Sequence, residues 1–264
     1  MELLVSVDIK QTGDDKEVPF LSGLDFLQDG RLVAVDYKNC KCIVMDDRLI
    51  KLGKPYKFNT IPLDIVCLSQ CEVAVTTYDK TVCLLSVSPD NVINLTKKIS
   101  TSTNVFSICC IVPTNMVVST FNDPRPVKMI TKGGVESDCD YVLFQTYKLD
   151  ESNCTYVQSK NTLVLTDRKA NTVYMYDTFT GTSRAITNEN IQQPRGACVG
   201  PDDTVLVCSG AKNSIVHMTV HGDIIGNYPV DTKLPYTLCM TKDGSRLAVS
   251  GCGTARKLIM YTLS

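Results

Sequence analysis

The chain has 264 residues, with 27 lysine and arginine side chains against 28 aspartate and glutamate side chains, and 44% of its residues are hydrophobic. This near-neutral balance excludes a long acidic or basic disordered tail. A mean hydropathy of +0.01, with no apolar run of about 18 residues, excludes a membrane-spanning helix.

The start of the chain has the pattern of a β-strand and not that of a secretory signal. Residues 1–10 (MELLVSVDIK) alternate apolar and polar side chains and contain no basic stretch followed by an apolar segment. The 13 cysteines are an odd number scattered through apolar runs, whereas secreted disulfide frameworks use paired cysteines in short chains. We therefore expect reduced, mostly buried cysteines and a cytoplasmic protein.

One pattern recurs along the chain: an apolar strand, a polar turn, a second very apolar strand, another polar turn and a third alternating strand. Its clearest copies are GLDFLQDGRLVAV at 23–35 and YTLCMTKDGSRLAV at 236–249. A unit of about 40–45 residues with four short strands is the period of a propeller blade. The second strands of six copies are spaced by 40–47 residues, at Leu32, Glu72, Met116, Leu163, Val205 and Leu247.

A long interruption lies between residues 131 and 152. It contains YVLFQTY at 141–147, whose alternation predicts the outer strand of the third blade behind a long loop.

The two ends of the chain predict how the ring closes. Residues 3–9 form a strand without a repeat of its own, and residues 256–263 form a third strand with no fourth strand after it. Pairing these two completes the last blade and covers an edge that would otherwise be prone to aggregation. We therefore predict an all-β fold, a six-bladed β-propeller of four-stranded blades closed by the N-terminal strand. It forms one domain over 1–264, with blades at approximately 20–60, 61–100, 101–150, 151–190, 191–231 and 232–264 plus 1–10.

The sequence offers few residues for catalysis or metal binding. The only histidines, His217 and His221, lie in a predicted strand and turn, and no Cys-x2-Cys pair is present. Some six-bladed propellers are calcium-dependent lactonases with carboxylates at the channel mouth, but only Glu17 and Asp64 lie near the starts of first strands. We expect no enzyme, no catalytic residue, no metal and no cofactor, with a calcium-dependent lactonase or esterase as a further alternative.

The repeat pattern sorts the charged residues onto two faces of the ring. We call the face that carries the second-to-third strand turns and the connections between blades the basic face. Its predicted charge is about +8, against about −7 on the other face, and a ring of like charge steers partners of opposite charge. Polar turn residues without any binding role are the alternative. The candidate binding residues are Lys38, Lys54, Lys57, Lys80, Arg125, Arg168, Lys169, Arg195, Lys212, Arg256, Tyr37 and Tyr78.

The fourth copy resembles the NHL repeat. Its residues LVLTDRKANTVYMYD at 163–177 match an apolar strand, Asp, a polar turn, Asn, and then Val and an aromatic residue before Asp. We expect Asp36, Asp167 and Asn171 to bond the backbone of the tight turn between the second and third strands. The arrangement is similar to the C-terminal propeller of tripartite-motif NHL proteins, which recruits protein or RNA targets for a ubiquitin-ligase RING domain.

The repeats, the charges and the resemblance together predict a non-enzymatic recognition module. The first hypothesis is that the basic face binds an acidic or phosphorylated segment of a protein, as the substrate-selecting part of a tripartite-motif-like ubiquitin ligase. The alternative is an RNA-binding NHL propeller in post-transcriptional regulation. A pI of 6.1 weighs against general affinity for nucleic acid but not against a local basic patch. We expect no membrane partner, and any oligomerisation through regions outside this chain.

Overall fold

The computed structural model describes residues 1–13, 15–139, 142 and 144–263. Within these ranges, 24 strands form six antiparallel sheets of four strands each. The first strand of each blade contacts the first strands of its neighbours, so the six first strands surround a central channel. The molecule is therefore the six-bladed β-propeller that the repeats predict.

Five blades use four consecutive strands. Blade 1 consists of β2 (Leu21–Phe26), β3 (Leu32–Asp36), β4 (Lys41–Met45) and β5 (Lys51–Lys57). Blade 2 consists of β6 (Pro62–Cys67), β7 (Glu72–Thr77), β8 (Thr81–Val87) and β9 (Ile93–Ser100). Blade 3 consists of β10 (Val105–Val112), β11 (Asn115–Thr120), β12 (Val127–Thr131) and β13 (Glu136–Asp138). Blade 4 consists of β14 (Cys154–Val157), β15 (Thr162–Asp167), β16 (Thr172–Asp177) and β17 (Ser183–Ile186). Blade 5 consists of β18 (Pro194–Val199), β19 (Val205–Ser209), β20 (Ser214–Met218) and β21 (Ile224–Pro229). Short 3-10 turns lie at Gln158–Lys160 and Pro201–Asp203.

The sixth blade closes the ring as predicted. It consists of β22 (Pro235–Met240), β23 (Arg246–Gly251), β24 (Lys257–Thr262) and, on its outer edge, β1 (Glu2–Asp8). Strand β1 runs antiparallel to β24, with Val5 opposite Met260. The two ends of the chain are therefore joined in one sheet, which holds the ring shut.

The core lies between the blades. Six apolar clusters each fill the space between two neighbouring sheets. The second strands supply much of it, since every residue of β3 and β19 is buried. Each second strand has a strand on both of its edges and a neighbouring blade on both of its faces. This position explains why the second strands are the most apolar segments of the repeats.

The outer strand of blade 3 differs from the prediction. It is β13, which pairs Ser137 with Met129, and the described residues of the segment 141–147 do not form it. The turn after β12 is tight because Gly134 adopts a φ of +96° and donates its N–H to the Thr131 carbonyl at 2.9 Å. Of the predicted segment, Tyr141 and Leu143 lie outside the described residues, and Thr146 forms an isolated bridge to Asp123.

The predicted turn chemistry is confirmed for Asp36 and Asp167. Asp36 Oδ1 accepts the backbone N–H of Lys38 at 3.0 Å, and Asp167 Oδ1 accepts that of Ala170 at 2.8 Å. Asn171 differs from the prediction: it has a φ of +54°, in the left-handed region that asparagine tolerates, but its Oδ1 accepts the N–H of Gln193 in the connection to blade 5 at 2.7 Å. The two aspartate side chains hold turns that form part of the basic face.

The cysteines are mostly buried, as the sequence predicts. All thirteen except Cys71 are buried or half-buried. None of the helical segments in the described ranges approaches the length or the apolarity that crossing a bilayer requires.

Candidate functional site

The central channel is narrow. Its cavity has a volume of about 80 Å³ and is lined by the first strands of all six blades. Small-molecule sites usually measure about 300 Å³ or more. The channel therefore has room for a few water molecules and not for an organic ligand.

Two carboxylates, Asp25 and Asp64, face this channel and join neighbouring blades. Asp25 Oδ2 accepts the N–H of Cys67 at 2.6 Å, which ties blade 1 to blade 2. Asp64 Oδ2 accepts the N–H of Ile108 at 3.0 Å, which ties blade 2 to blade 3. Burial raises the pKa of Asp25 to about 6 and that of Asp64 to about 7, because the hydrogen bonds only partly offset the cost of desolvating the charged carboxylate.

Hydroxyl groups continue these connections around the ring. Ser107 Oγ accepts the N–H of Cys154 at 3.2 Å between blades 3 and 4. Ser250 Oγ donates to the Leu21 carbonyl at 2.8 Å between blades 6 and 1. Ser107 of the inner strand β10 and Ser250 of the second strand β23 thus add hydrogen bonds between blades.

The acids and histidines do not converge on a metal site in the described part of the chain. Glu17 lies on the surface and pairs with Lys38 at 3.0 Å, away from Asp64. His217 Nε2 lies 2.7 Å from Thr204 Oγ1 in blade 5. Sequence reasoning missed Asp25, although a carboxylate inside the apolar run of a first strand was a visible signal.

An aromatic cluster closes the channel at the basic face. Its buried members are Leu63, Phe106, Phe121 and Tyr236, and Phe20, Tyr37 and Leu149 pack against them. We call these residues the aromatic mouth. Two arginines lie over its rings: the Arg195 guanidinium is 5.0 Å from the Tyr236 centroid, and that of Arg256 is 5.4 Å from the Phe20 centroid.

Four of the predicted binding cations are engaged in ion pairs. Arg195 is 7% exposed and therefore holds the fold rather than offering its charge to a ligand. The Arg256 guanidinium is also engaged, because it donates to the Val18 carbonyl at 2.6 Å. The paired cations are Lys38 with Glu17 at 3.0 Å, Arg125 with Asp123 at 3.2 Å, and Arg168 and Arg195 with Asp150 at 3.2 and 3.0 Å.

The other predicted binding residues do not form one surface. Lys54 and Lys57 belong to β5, so Lys54 lies on the side of the ring and not in a connection between blades. Lys80 and Lys212 lie in exposed turns of the basic face. Tyr78 is 48% exposed beside the aromatic mouth, 5.8 Å from the Phe121 ring. Tyr37 is half-buried, 5.8 Å from the Phe20 ring.

The basic face contains one groove that brings predicted and unpredicted residues together. It has a volume of about 440 Å³ and lies between the connection from blade 3 to blade 4 and the turns of blades 4 and 5. We call it the lysine groove. Sequence reasoning found Arg168 and Lys169 but missed Lys148, because the connection was assigned to a loop and a strand of blade 3. The defining residues are Tyr147, Lys148, Glu151, Arg168, Lys169 and Asn171.

The ammonium groups of this groove are uncommitted. Lys148 and Lys169 are exposed and form no ion pair with any residue in the described ranges. Lys169 Nζ lies 6.0 Å from the centroid of Tyr147, which is itself 57% exposed. The groove therefore presents positive charge and an aromatic surface to solvent.

No protein-family model matches this chain, and no curated protein matches it in sequence. Solved structures match it over nearly its whole length. A streptogramin B lyase is 13% identical with a TM-score of 0.66, over 98% of this chain and 97% of the lyase. A catalytically inactive histidine-to-alanine variant of virginiamycin B lyase from Staphylococcus aureus, with quinupristin, is 14% identical with a TM-score of 0.67, over 98% and 99%. A protein of unknown function from Bacteroides thetaiotaomicron is 11% identical with a TM-score of 0.74, over 97% of this chain and 76% of its own.

This comparison corrects one expectation from the sequence. The prediction that the chain is not an enzyme is contradicted, because propellers that share its architecture from end to end are lyases. The prediction relied on missing motifs of other enzyme folds, and such motifs do not report on catalysis by a propeller. At 11–15% identity the likeness concerns the fold alone.

Proposed function

We propose that this propeller recognises a protein partner and binds an acidic segment of it on the basic face. The observation that carries the proposal is the lysine groove, where the ammonium groups of Lys148 and Lys169 stand free beside the exposed ring of Tyr147. Elsewhere on this face Arg125 and Arg195 are paired, and the exposed Lys80 and Lys212 lie in separate turns, whereas the groove brings two ammonium groups together beside an aromatic ring.

The surroundings of the groove favour a peptide over an isolated small anion. Leu149 belongs to the aromatic mouth and directly follows Lys148, so the two surfaces are continuous. Tyr78 offers a further exposed ring on the same face. Interfaces combine aromatic anchors with surrounding polar contacts, and an acidic segment with an apolar side chain would use both.

The cellular role follows from the resemblance to NHL repeats. A propeller of this kind would serve as the substrate-selecting part of a tripartite-motif-like ubiquitin ligase, with the partner's acidic segment as its recognition element. The hydrogen bonds of Asp36 and Asp167 to the backbone of their own turns support this proposal.

Selection from a displayed library of random peptides tests the proposal. We expect the wild-type chain to enrich peptides rich in aspartate and glutamate with one apolar anchor. Charge reversal by Lys148→Glu with Lys169→Glu should abolish this enrichment. The control is Lys54→Glu on the side of the ring, compared with Lys169→Glu alone so that the change in charge is the same. Enrichment of basic or uncharged peptides, or equal loss in the control, would refute the proposal.

RNA binding is the competing outcome. A chain that binds RNA through this face should hold a single-stranded oligonucleotide with an affinity that falls steeply between about 50 and 200 mM salt. We expect weak binding of the oligonucleotide at both salt concentrations, measured by fluorescence anisotropy. Tight binding that the charge reversals remove would favour RNA over a protein partner.

A further inference from the structure

We infer that the lysine groove receives a phosphorylated side chain of the partner, an inference that rests on the proposed function and narrows its ligand. The defining residues carry three positive charges, on Lys148, Arg168 and Lys169, against one negative charge on Glu151. A phosphomonoester carries about −1.5 to −2 at neutral pH. The groove therefore balances a phosphate group better than it balances a single carboxylate.

The one carboxylate of the groove does not compete for the cations. Glu151 is 7% exposed, and its Oε2 accepts the backbone N–H groups of Tyr147 at 2.7 Å and Lys148 at 2.9 Å. These bonds shape the connection that presents Lys148. Glu151 thus acts on the backbone beneath the groove, and the ammonium groups above it stay available.

The guanidinium of the groove is held at one edge only. Arg168 Nη2 pairs with Asp150 Oδ1 at 3.2 Å, and the other carboxylate oxygen of Asp150 binds Arg195 Nη1 at 3.0 Å. The backbone N–H of Arg168 also donates to the Glu151 carbonyl at 3.0 Å. Since a guanidinium has five N–H donors, one bond to Asp150 orients the group and leaves donors for a phosphate oxygen.

Asn171 adds a neutral donor with a fixed direction. Its Oδ1 accepts the backbone N–H of Gln193 at 2.7 Å, across to the connection that leads into blade 5. A flipped amide would place its NH₂ against that N–H, so Nδ2 is the atom left to donate. The groove thus combines two ammonium groups, a guanidinium and an amide donor around one space, which suits the several acceptor oxygens of a phosphate.

Oriented peptide libraries with a fixed central residue test this inference. Three libraries carry phosphoserine, glutamate or serine at the centre, and retention on the immobilised chain is measured. We expect the phosphoserine library to be retained at least about tenfold more than the glutamate library, with inorganic phosphate competing. Lys148→Gln with Lys169→Gln should remove this preference. The control Lys80→Gln, on the same face outside the groove, should keep it.

The outcomes separate the inference from the proposed function. Equal retention of the phosphoserine and glutamate libraries, lost on charge reversal of the groove, would overturn the phosphate inference and leave the acidic-segment proposal standing. A phosphoserine preference that survives the Lys148→Gln and Lys169→Gln changes would also overturn the inference, because the phosphate would then bind elsewhere. Failure of all three libraries to bind would overturn both.

Discussion

The channel and the lysine groove differ in what their polar side chains are used for. In the channel, Asp25 and Asp64 accept backbone N–H groups from the next blade. In the groove, Lys148 and Lys169 have no ion-pair partner in the described ranges, and Glu151 is used only to shape the backbone. Polar residues near the axis therefore hold the ring together, while polar residues on the basic face are available to a ligand.

In this propeller, a raised pKa is a poor guide to the functional site. Buried carboxylates with raised pKa values often mark catalytic sites. Here the bonds of Asp25 and Asp64 to Cys67 and Ile108 give both carboxylates a structural task. The candidate site is therefore marked by lysines without ion-pair partners in the described ranges, and not by the carboxylates whose pKa values are raised.

The largest effect should come from opening the ring. Deletion of residues 1–8 removes β1 and exposes the edge of β24, so we expect the melting temperature to fall by more than about 10 °C, with aggregation. Thermal unfolding followed by circular dichroism measures this. The control is Leu3→Ser, at a side chain that is 59% exposed in the same strand. A deletion that melts within about 3 °C of the full chain would show that β1 does not close the ring.

The next effect concerns the channel carboxylates and depends on pH. The pKa of Asp64 rises from 3.8 to about 7 on folding, so its charged form is disfavoured in the native state. The resulting penalty is absent below about pH 4 and complete above about pH 7. Asp64→Asn removes this pH-dependent penalty, but it also leaves one of the backbone N–H groups of Ile65 and Ile108 without an acceptor, because an amide has a single acceptor oxygen. The variant should therefore be less stable than the wild type at pH 4, and its free energy of unfolding relative to the wild type should rise between pH 4 and pH 8, by at most about 4 kcal/mol.

Urea unfolding of the Asp64→Asn variant at both pH values checks this expectation. Asp243→Asn is the control, because the pKa of Asp243 is lowered to about 2 by hydrogen bonds from Thr241 and Ser245. Its carboxylate is stabilised by folding, so the control should lose stability at pH 8. A deficit in stability of the Asp64→Asn variant that is as large at pH 8 as at pH 4 would contradict the account of the channel.

A smaller effect should follow from crowding the channel wall. A Cβ on Gly23 would lie 2.6 Å from Asp64 Oδ1 and 2.7 Å from the Ile65 nitrogen. We expect Gly23→Ala to lower the free energy of unfolding by about 1–3 kcal/mol, since the backbone of blade 2 must shift. Gly133→Ala is the control, because its nearest neighbour is the Thr131 hydroxyl at 3.3 Å. Equal urea midpoints for the two variants would contradict the close packing of blades 1 and 2.

The smallest effect on stability should come from the groove. Lys148→Gln with Lys169→Gln removes two exposed charges without ion pairs in the described ranges, and such surface changes usually alter stability by less than about 0.5 kcal/mol. We expect a melting temperature within about 2 °C of the wild-type value, together with loss of acidic peptide binding. A large loss of stability would show that these lysines serve the fold.

The sequence predicted the ring well, because its period is a local property. The apolar second strands recur at a fixed spacing, and the turns at Asp36 and Asp167 are set by neighbouring residues. The outer strand of blade 3 was misplaced because the alternation at 141–147 outweighed the short segment after Gly134. The tight turn at Gly134 brings β13 back beside β12, so β13 becomes the outer strand.

The site was predicted only in part, because availability of a charge depends on distant partners. Arg168 and Lys169 look equivalent in the sequence, yet Asp150 engages the first and not the second. Arg195 was a candidate ligand cation and is instead buried over Tyr236. These distinctions arise from the connection between blades 3 and 4, whose path the repeat does not encode.

Mapping the bound peptide by NMR shows whether the lysine groove is the binding surface. Titration of the isotopically labelled chain with an enriched acidic peptide should shift backbone amide signals at residues 147–151, 168–171 and 192–193, around the lysine groove. The same titration of the Lys148→Gln and Lys169→Gln variant should leave those signals in place. Shifts confined to the opposite face, in the turns at 46–50, 88–92 and 178–182, would contradict the assignment of the basic face as the binding surface.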